Sequence, residues 1–185
     1  MTDKITTTLK QIRKAIKFWF HLSSDEGYDT LRKFLGEDYG DDTPITFRQI
    51  YESNGYDDTL WCLRTVDHKW FPLWRHFAVD CAEDVKHLMT DERSLNALVV
   101  ARKHAEGNAT DEELDAAGGV SWMSAWEDAW DTARSVARDI AGHIGGDDPW
   151  SPAWKSALYT AQDAQMNHLF EYCRTGERVK MKKGS

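Results

Sequence analysis

The apolar positions of this 185-residue chain recur at helical spacing and nowhere alternate as strands do. Residues 3–22 place Ile5, Leu9, Ile12, Ile16, Trp19 and Phe20 on one side of a helix, with the lysines and Arg13 largely on other faces. Farther along, Trp122, Trp126 and Trp130 fall four apart beside a second row at the same spacing, Ala125, Ala129, Ala133, Ala137 and Ala141. Residues four apart share a side of a helix, so the alanines let a neighbouring backbone come close while the indoles cover a wide apolar area. That segment predicts a helix built to pack on other helices, with its indoles in the core.

Turn and capping residues divide the rest. Gly27 to Pro44 is acidic and glycine-containing, with a short helical turn at Thr30–Leu35, and Thr43-Pro44 supplies an N-cap followed by a first-turn proline. The helix starting there stops at Asn54-Gly55, and Asp57 or Asp58 caps the next, which ends near Asp67. Pro72 opens a helix to about Met89. Thr90-Asp91 starts one to Glu106, and Gly107 ends it. Thr110 and Glu113 form a capping box for a short helix through Ala117, before the break at Gly118-Gly119. Ser121 caps the tryptophan–alanine helix, Gly145-Gly146 ends it, and Ser151-Pro152 opens the last helix, to about Arg174 with Gly176 beyond. The expected fold is all-α, a single-domain bundle of seven or eight helices over residues 1–185.

Composition agrees with a globular domain: 41% hydrophobic and 12% aromatic residues, nine of them tryptophan. Cys62, Cys81 and Cys173 are an odd number and widely separated, which excludes a disulfide framework or a CxxC metal knuckle. No run approaches a membrane span, and no signal-peptide stretch opens the chain, so a cytoplasmic address is expected.

Net charge is −8, and its distribution says more than its sum. Residues 1–17 (basic Lys4, Lys10, Arg13, Lys14, Lys17) and residues 174–185 (basic Arg174, Arg178, Lys180, Lys182, Lys183) each carry +4, leaving −16 between positions 18 and 173. Such a body repels nucleic acid and attracts basic protein surfaces. Its candidate contact residues are Glu37, Asp38, Asp41 and Asp42, then Asp57 and Asp58, then Asp111, Glu112 and Glu113, with Glu127, Asp128 and Asp131 among the tryptophans. The same acids would also serve solubility and helix capping, or, spaced like phosphates along one face, nucleic-acid mimicry.

Candidate chemistry is thin. His76, Asp80, Glu83 and His87, spaced four, three and four apart, would offer metal ligands on one helix face. Trp74, Phe77, Cys81, Val85 and Leu88 cluster on another side of that helix, so the row is expected to be a solvated polar face and no metal or cofactor is predicted. Cys62 and Cys81 lie in apolar stripes and read as small core hydrophobes, and one arginine, Arg174, beside Cys173 at a helix end is too little to mark a reactive thiol. No catalytic motif is present, and the chain is read as non-enzymatic, with a metal-binding or enzymatic helical protein as the remaining alternative.

Segments 54–64 (NGYDDTLWCLR), 77–85 (FAVDCAEDV), 91–98 (DERSLNAL) and 101–114 (ARKHAEGNATDEEL), with the alanine-rich helix after them, resemble the Imm5-like immunity protein family, small helical proteins of bacteria and phages. The resemblance covers roughly the middle two-thirds of the chain. It implies a protein that neutralises a toxin or a host defence factor by stoichiometric binding, and it brings no catalytic residues. The charge pattern points independently to a basic protein partner, with no membrane and no direct nucleic-acid binding by the acidic body.

Overall fold

Small residues and helix caps determine how the chain folds. The computed structural model describes residues 2–18, 25–118 and 125–179. Among them are nine α-helices: α1 (Leu9–Phe18), α2 (Asp25–Leu35), α3 (Phe47–Asn54), α4 (Tyr56–Trp61), α5 (Phe71–Asp84), α6 (Glu92–Ala105), α7 (Asp111–Ala116), α8 (Ala125–Gly145) and α9 (Pro152–Thr175). The fold is all-α. Short 3-10 turns at Cys62–Thr65, His68–Trp70 and Lys86–Leu88 complete the regular structure, and Thr7 and Ile45 form an isolated antiparallel bridge.

Helices α8 and α9 form a long antiparallel hairpin, and α5 lies along it. Ala129, Ala133, Ala137 and Ala141 of α8 are fully buried, facing Ala157 and Ala161 of α9. Gln165 Nε2 donates to the Ala133 carbonyl at 3.1 Å and fixes the register. At the hairpin end a side chain on Gly145 would meet the Trp154 Cα at 2.3 Å, so only glycine permits this approach. The main core gathers Ile5, Leu9, Ile12, Leu31, Phe47, Ile50, Leu60, Leu63, Trp74, Phe77, Met166 and Leu169. Trp130 packs on it, half-buried, with the Arg134 guanidinium 4.6 Å above its ring. Trp122, Ser121 and the side chain of Trp126 lie outside the described residues, as do residues 19–22 of the first expected helix.

Several boundaries differ from expectation for local reasons. The first helix starts at Leu9, because Thr6, Thr7 and Thr8 disfavour helix and the Thr8 hydroxyl accepts from the Gln11 amide. The extended residues before it are tied down by Ile5 N–H to the Cys173 carbonyl, 2.9 Å, and by the Thr7–Ile45 pair. The α3 N-cap is Thr46, in a capping box with Gln49, so Thr43-Pro44 stands outside the helix. Gly55, at φ +81, precedes α4, and Asp57 and Asp58 sit in its first turn, where the helix dipole favours them. That helix gives way to a 3-10 turn well before Asp67. Helix α5 stops at Asp84 short of Met89, where Val85 leaves helical dihedrals and is buried. The Thr110/Glu113 box, the Ser151-Pro152 start and the left-handed Gly176 cap of α9 stand as read.

Candidate functional site

Two carboxylates touching α5 define the chemically distinctive part of the molecule. Asp80 is 5% exposed at the meeting of α5, α6, α9 and the segment after α9. Its Oδ1 accepts from the Arg102 guanidinium and from Arg178 Nη2 at 2.9 Å. Its Oδ2 accepts from the Tyr172 hydroxyl and lies 3.2 Å from His168 Nε2. Arg102 also grips Glu83 with two bonds of 3.0 and 2.8 Å, and Arg178 reaches Glu106 at 3.2 Å. Burial alone would raise the Asp80 pKa, but the hydrogen bonds from His168, Tyr172, Arg178 and Arg102 outweigh it and hold the carboxyl well below the usual range. Burial, with Arg178 and Arg102 beside it, lowers the pKa of His76.

The polar-face reading of His76, Asp80, Glu83 and His87 is thereby corrected. Glu83 and His87 are exposed, but Asp80 is buried, His76 is half-buried, and His87 lies past the end of α5 on a 3-10 turn. Arginines from two distant segments cover that face, which a wheel drawn on α5 alone does not contain. Among the described residues no group of three or more His, Cys, Asp or Glu side chains is placed to hold a metal ion. The Asp80 carboxylate is already fully paired, and its geometry fastens three helices and the segment after α9 together.

The second carboxylate, Asp128 of α8, pairs with Arg75 of α5 at 2.9 Å. Their side chains are 18% and 23% exposed. Burial drives the Asp128 pKa up, Arg75 pulls it down, and neighbouring Glu127 raises it again, leaving it at about 6. Both residues line a pocket of about 170 Å³ between α5, α6, α7 and α8, walled by Ala78, Val79, Ala82, Leu98, Ala101 and Leu114, with His104 and Thr132. The space exists because alanines face each other where longer side chains would close the helices' contact.

The other sequence-selected acids divide by partner. Asp41 pairs with Arg32 at 2.8 Å, Asp42 with Lys10 at 3.1 Å, Asp57 with Arg134 at 3.0 Å and Asp111 with His104 at 2.8 Å. Asp58 accepts from Asn54, and Glu113 completes its capping box. Glu37, Asp38, Glu112 and Asp131 are exposed, and Glu127 is half-buried. All three cysteines are free and buried. For Cys173 burial raises the thiol pKa well above its ordinary value, and Arg174 is turned toward Glu171.

The end of the α8–α9 hairpin was not singled out by sequence. Between residues 138 and 164 the buried positions are Ala141, Ala157 and Ala161, which face across the hairpin. Outward it shows Trp150 at 81% exposure and Ile144 at 70%, beside exposed Asp147 and Asp148. The available signal was a tryptophan directly after Gly-Gly-Asp-Asp-Pro, where no apolar stripe calls for one. Compared with family models, curated proteins and solved structures, the chain matches none.

Proposed function

We propose that this protein acts by stoichiometric binding to another protein with a basic surface, as a non-enzymatic inhibitor of the immunity or counter-defence type. The observation that carries the reading is Trp150, four-fifths exposed at the end of a helical hairpin, with Ile144 exposed on the same end. Large aromatic side chains concentrate binding energy when they enter a partner's pocket, and a rigid hairpin presents one with little entropy to lose. Asp147 and Asp148 lie beside Trp150, with Asp148 accepting from the Trp150 amide and Lys155 5.5 Å over the indole, and the −16 body adds long-range attraction for a basic partner. The exposed indole of Trp150, which the clusters of Asp41, Asp42, Asp57 and Asp111 do not offer, favours the hairpin end as the centre of contact. Three unpaired cysteines and the lack of any helix long and apolar enough to cross a membrane, among the described residues, fit action in a reducing cytoplasm.

The test is affinity capture from host lysate, followed by association kinetics with the captured protein. A specific partner should be retained by wild type and lost with Trp150→Ala, a change at an exposed site that leaves the fold intact. Association should slow steeply as salt rises, while dissociation changes less. A partner held equally by Trp150→Ala, or an association rate indifferent to salt, overturns the reading.

A further inference from the structure

We propose that the pocket between α5, α6, α7 and α8 is a binding site for a small organic cation, a primary ammonium carried on a single ring or a short branched alkyl group. Size sets the first limit. A cavity of about 150 Å³ takes a benzene ring, and this one measures about 170 Å³ with walls of alanine, valine and leucine. Charge sets the second. Asp128 gives Oδ2 to Arg75, while its Oδ1 takes no hydrogen bond from the described residues. The surrounding elements carry more acid than base: Arg75 comes from α5 and His104 from α6, its Nε2 2.8 Å from Asp111 of α7, while Glu127 and Asp131 flank Asp128 on α8. An anion would meet that negative field, and a neutral ring would gain only the apolar walls. An ammonium gains the walls and a charge-assisted bond to Oδ1, in a site where the carboxylate is poorly solvated. This site is separate from the hairpin end and does not depend on the proposed protein partner.

The experiment is titration of the full chain with benzylamine, benzyl alcohol and benzoate, followed by amide chemical shifts. Benzylamine should bind in the millimolar range or tighter, about ten-fold better than benzyl alcohol, with benzoate weakest. Shifts should centre on Ala78, Ala101 and Thr132. Asp128→Asn should weaken benzylamine about ten-fold and leave benzyl alcohol unchanged. Ala101→Leu, which fills the pocket and spares the carboxylate, should abolish both. Absence of benzylamine binding, a ranking with benzoate equal or better, or full binding to Ala101→Leu would overturn the proposal. The ranking on wild-type protein decides even if either variant fails to fold.

Discussion

Asp80 and Asp128 are both withdrawn from bulk water at helix contacts of α5, and their acidities move in opposite directions. Asp80 meets two guanidiniums, a tyrosine hydroxyl and a histidine ring, so its charged form is better served than in water. Among the described residues Asp128 takes a hydrogen bond from one arginine, on one oxygen, and stands among other acids, so desolvation prevails and its pKa rises to about 6. The difference lies in the number of donors, with burial in common. A carboxylate with every lone pair used is a fastening. One with a free oxygen beside an open pocket is a place for a ligand.

Removing the satisfied carboxylate gives the largest expected effect. Asp80→Ala leaves Arg102 and Arg178 facing each other with only their outer partners, Glu83 and Glu106, and leaves Tyr172 and His168 without their shared acceptor. Breaking a buried charge network from one side costs about 3–5 kcal/mol. Urea unfolding should show that loss at unchanged slope, and a loss below about 1 kcal/mol would mean the centre does not hold the helices together.

The second effect is in pH. The folded Asp128 pKa, about 6, lies above its ordinary 3.8, so its contribution to stability is fully present below pH 3.8 and is lost as pH rises through 6. At 1.36 kcal/mol per pKa unit this amounts to about 2–3 kcal/mol. Asp80, with a lowered pKa, behaves oppositely: its contribution is present above pH 3.8 and is lost as pH falls below it. Between pH 4 and 6 the Asp80 contribution should therefore stay constant while that of Asp128 declines. His76, lowered by burial and the two arginines, works against Asp128 near pH 6, and Asp84, raised by burial, works with it. Subtracting the stability profile of Asp128→Asn from that of wild type removes both. A flat difference across pH 4–7 would show Asp128 to be as well paired as Asp80.

The fold was legible because its signals are local. Thr110 and Glu113 three residues apart, Ser151 before Pro152, and Gly145-Gly146 after an alanine row act within one turn of chain. The Asp80 centre was not, since its arginines come from 22 and 98 residues away and the helix bearing it puts Asp80 on the polar side of its own wheel. A signal was present on α9: His168 and Tyr172, four apart and interleaved with the apolar Met166, Leu169, Phe170 and Cys173, are polar groups that a core admits only with a partner. For Asp128 the sequence showed an acid in an acidic stretch. Arg75, 53 residues earlier, makes it half-buried and paired.

Arg178→Ala should have an intermediate effect. It removes one of the four donors to Asp80 and frees the already exposed Glu106, while Arg102, Tyr172 and His168 keep the carboxylate bonded. A loss of about 1–2 kcal/mol is expected, within the range for one charge-assisted hydrogen bond. The same variant releases the segment after α9 from α5, so amides near residue 178 should exchange faster while those of α8 keep their protection. A loss as large as that of Asp80→Ala would put the strength of the centre in one arginine instead of in the sum of donors.

Asp128→Asn at pH 7 should have the smallest effect, within about 1 kcal/mol of wild type in either direction. Asparagine keeps an oxygen for Arg75 and gives up a charge that is costly to hold there, so the lost attraction and the relieved desolvation nearly cancel. The same reasoning makes Asp80→Asn expensive, because the amide brings two donors into a site whose partners all donate. Measured side by side at pH 7, the two isosteric changes isolate the donor count from burial and volume. If Asp128→Asn cost about 3 kcal/mol or more, its pair with Arg75 would be a fastening like the Asp80 centre, and the free oxygen would be no place for an ammonium.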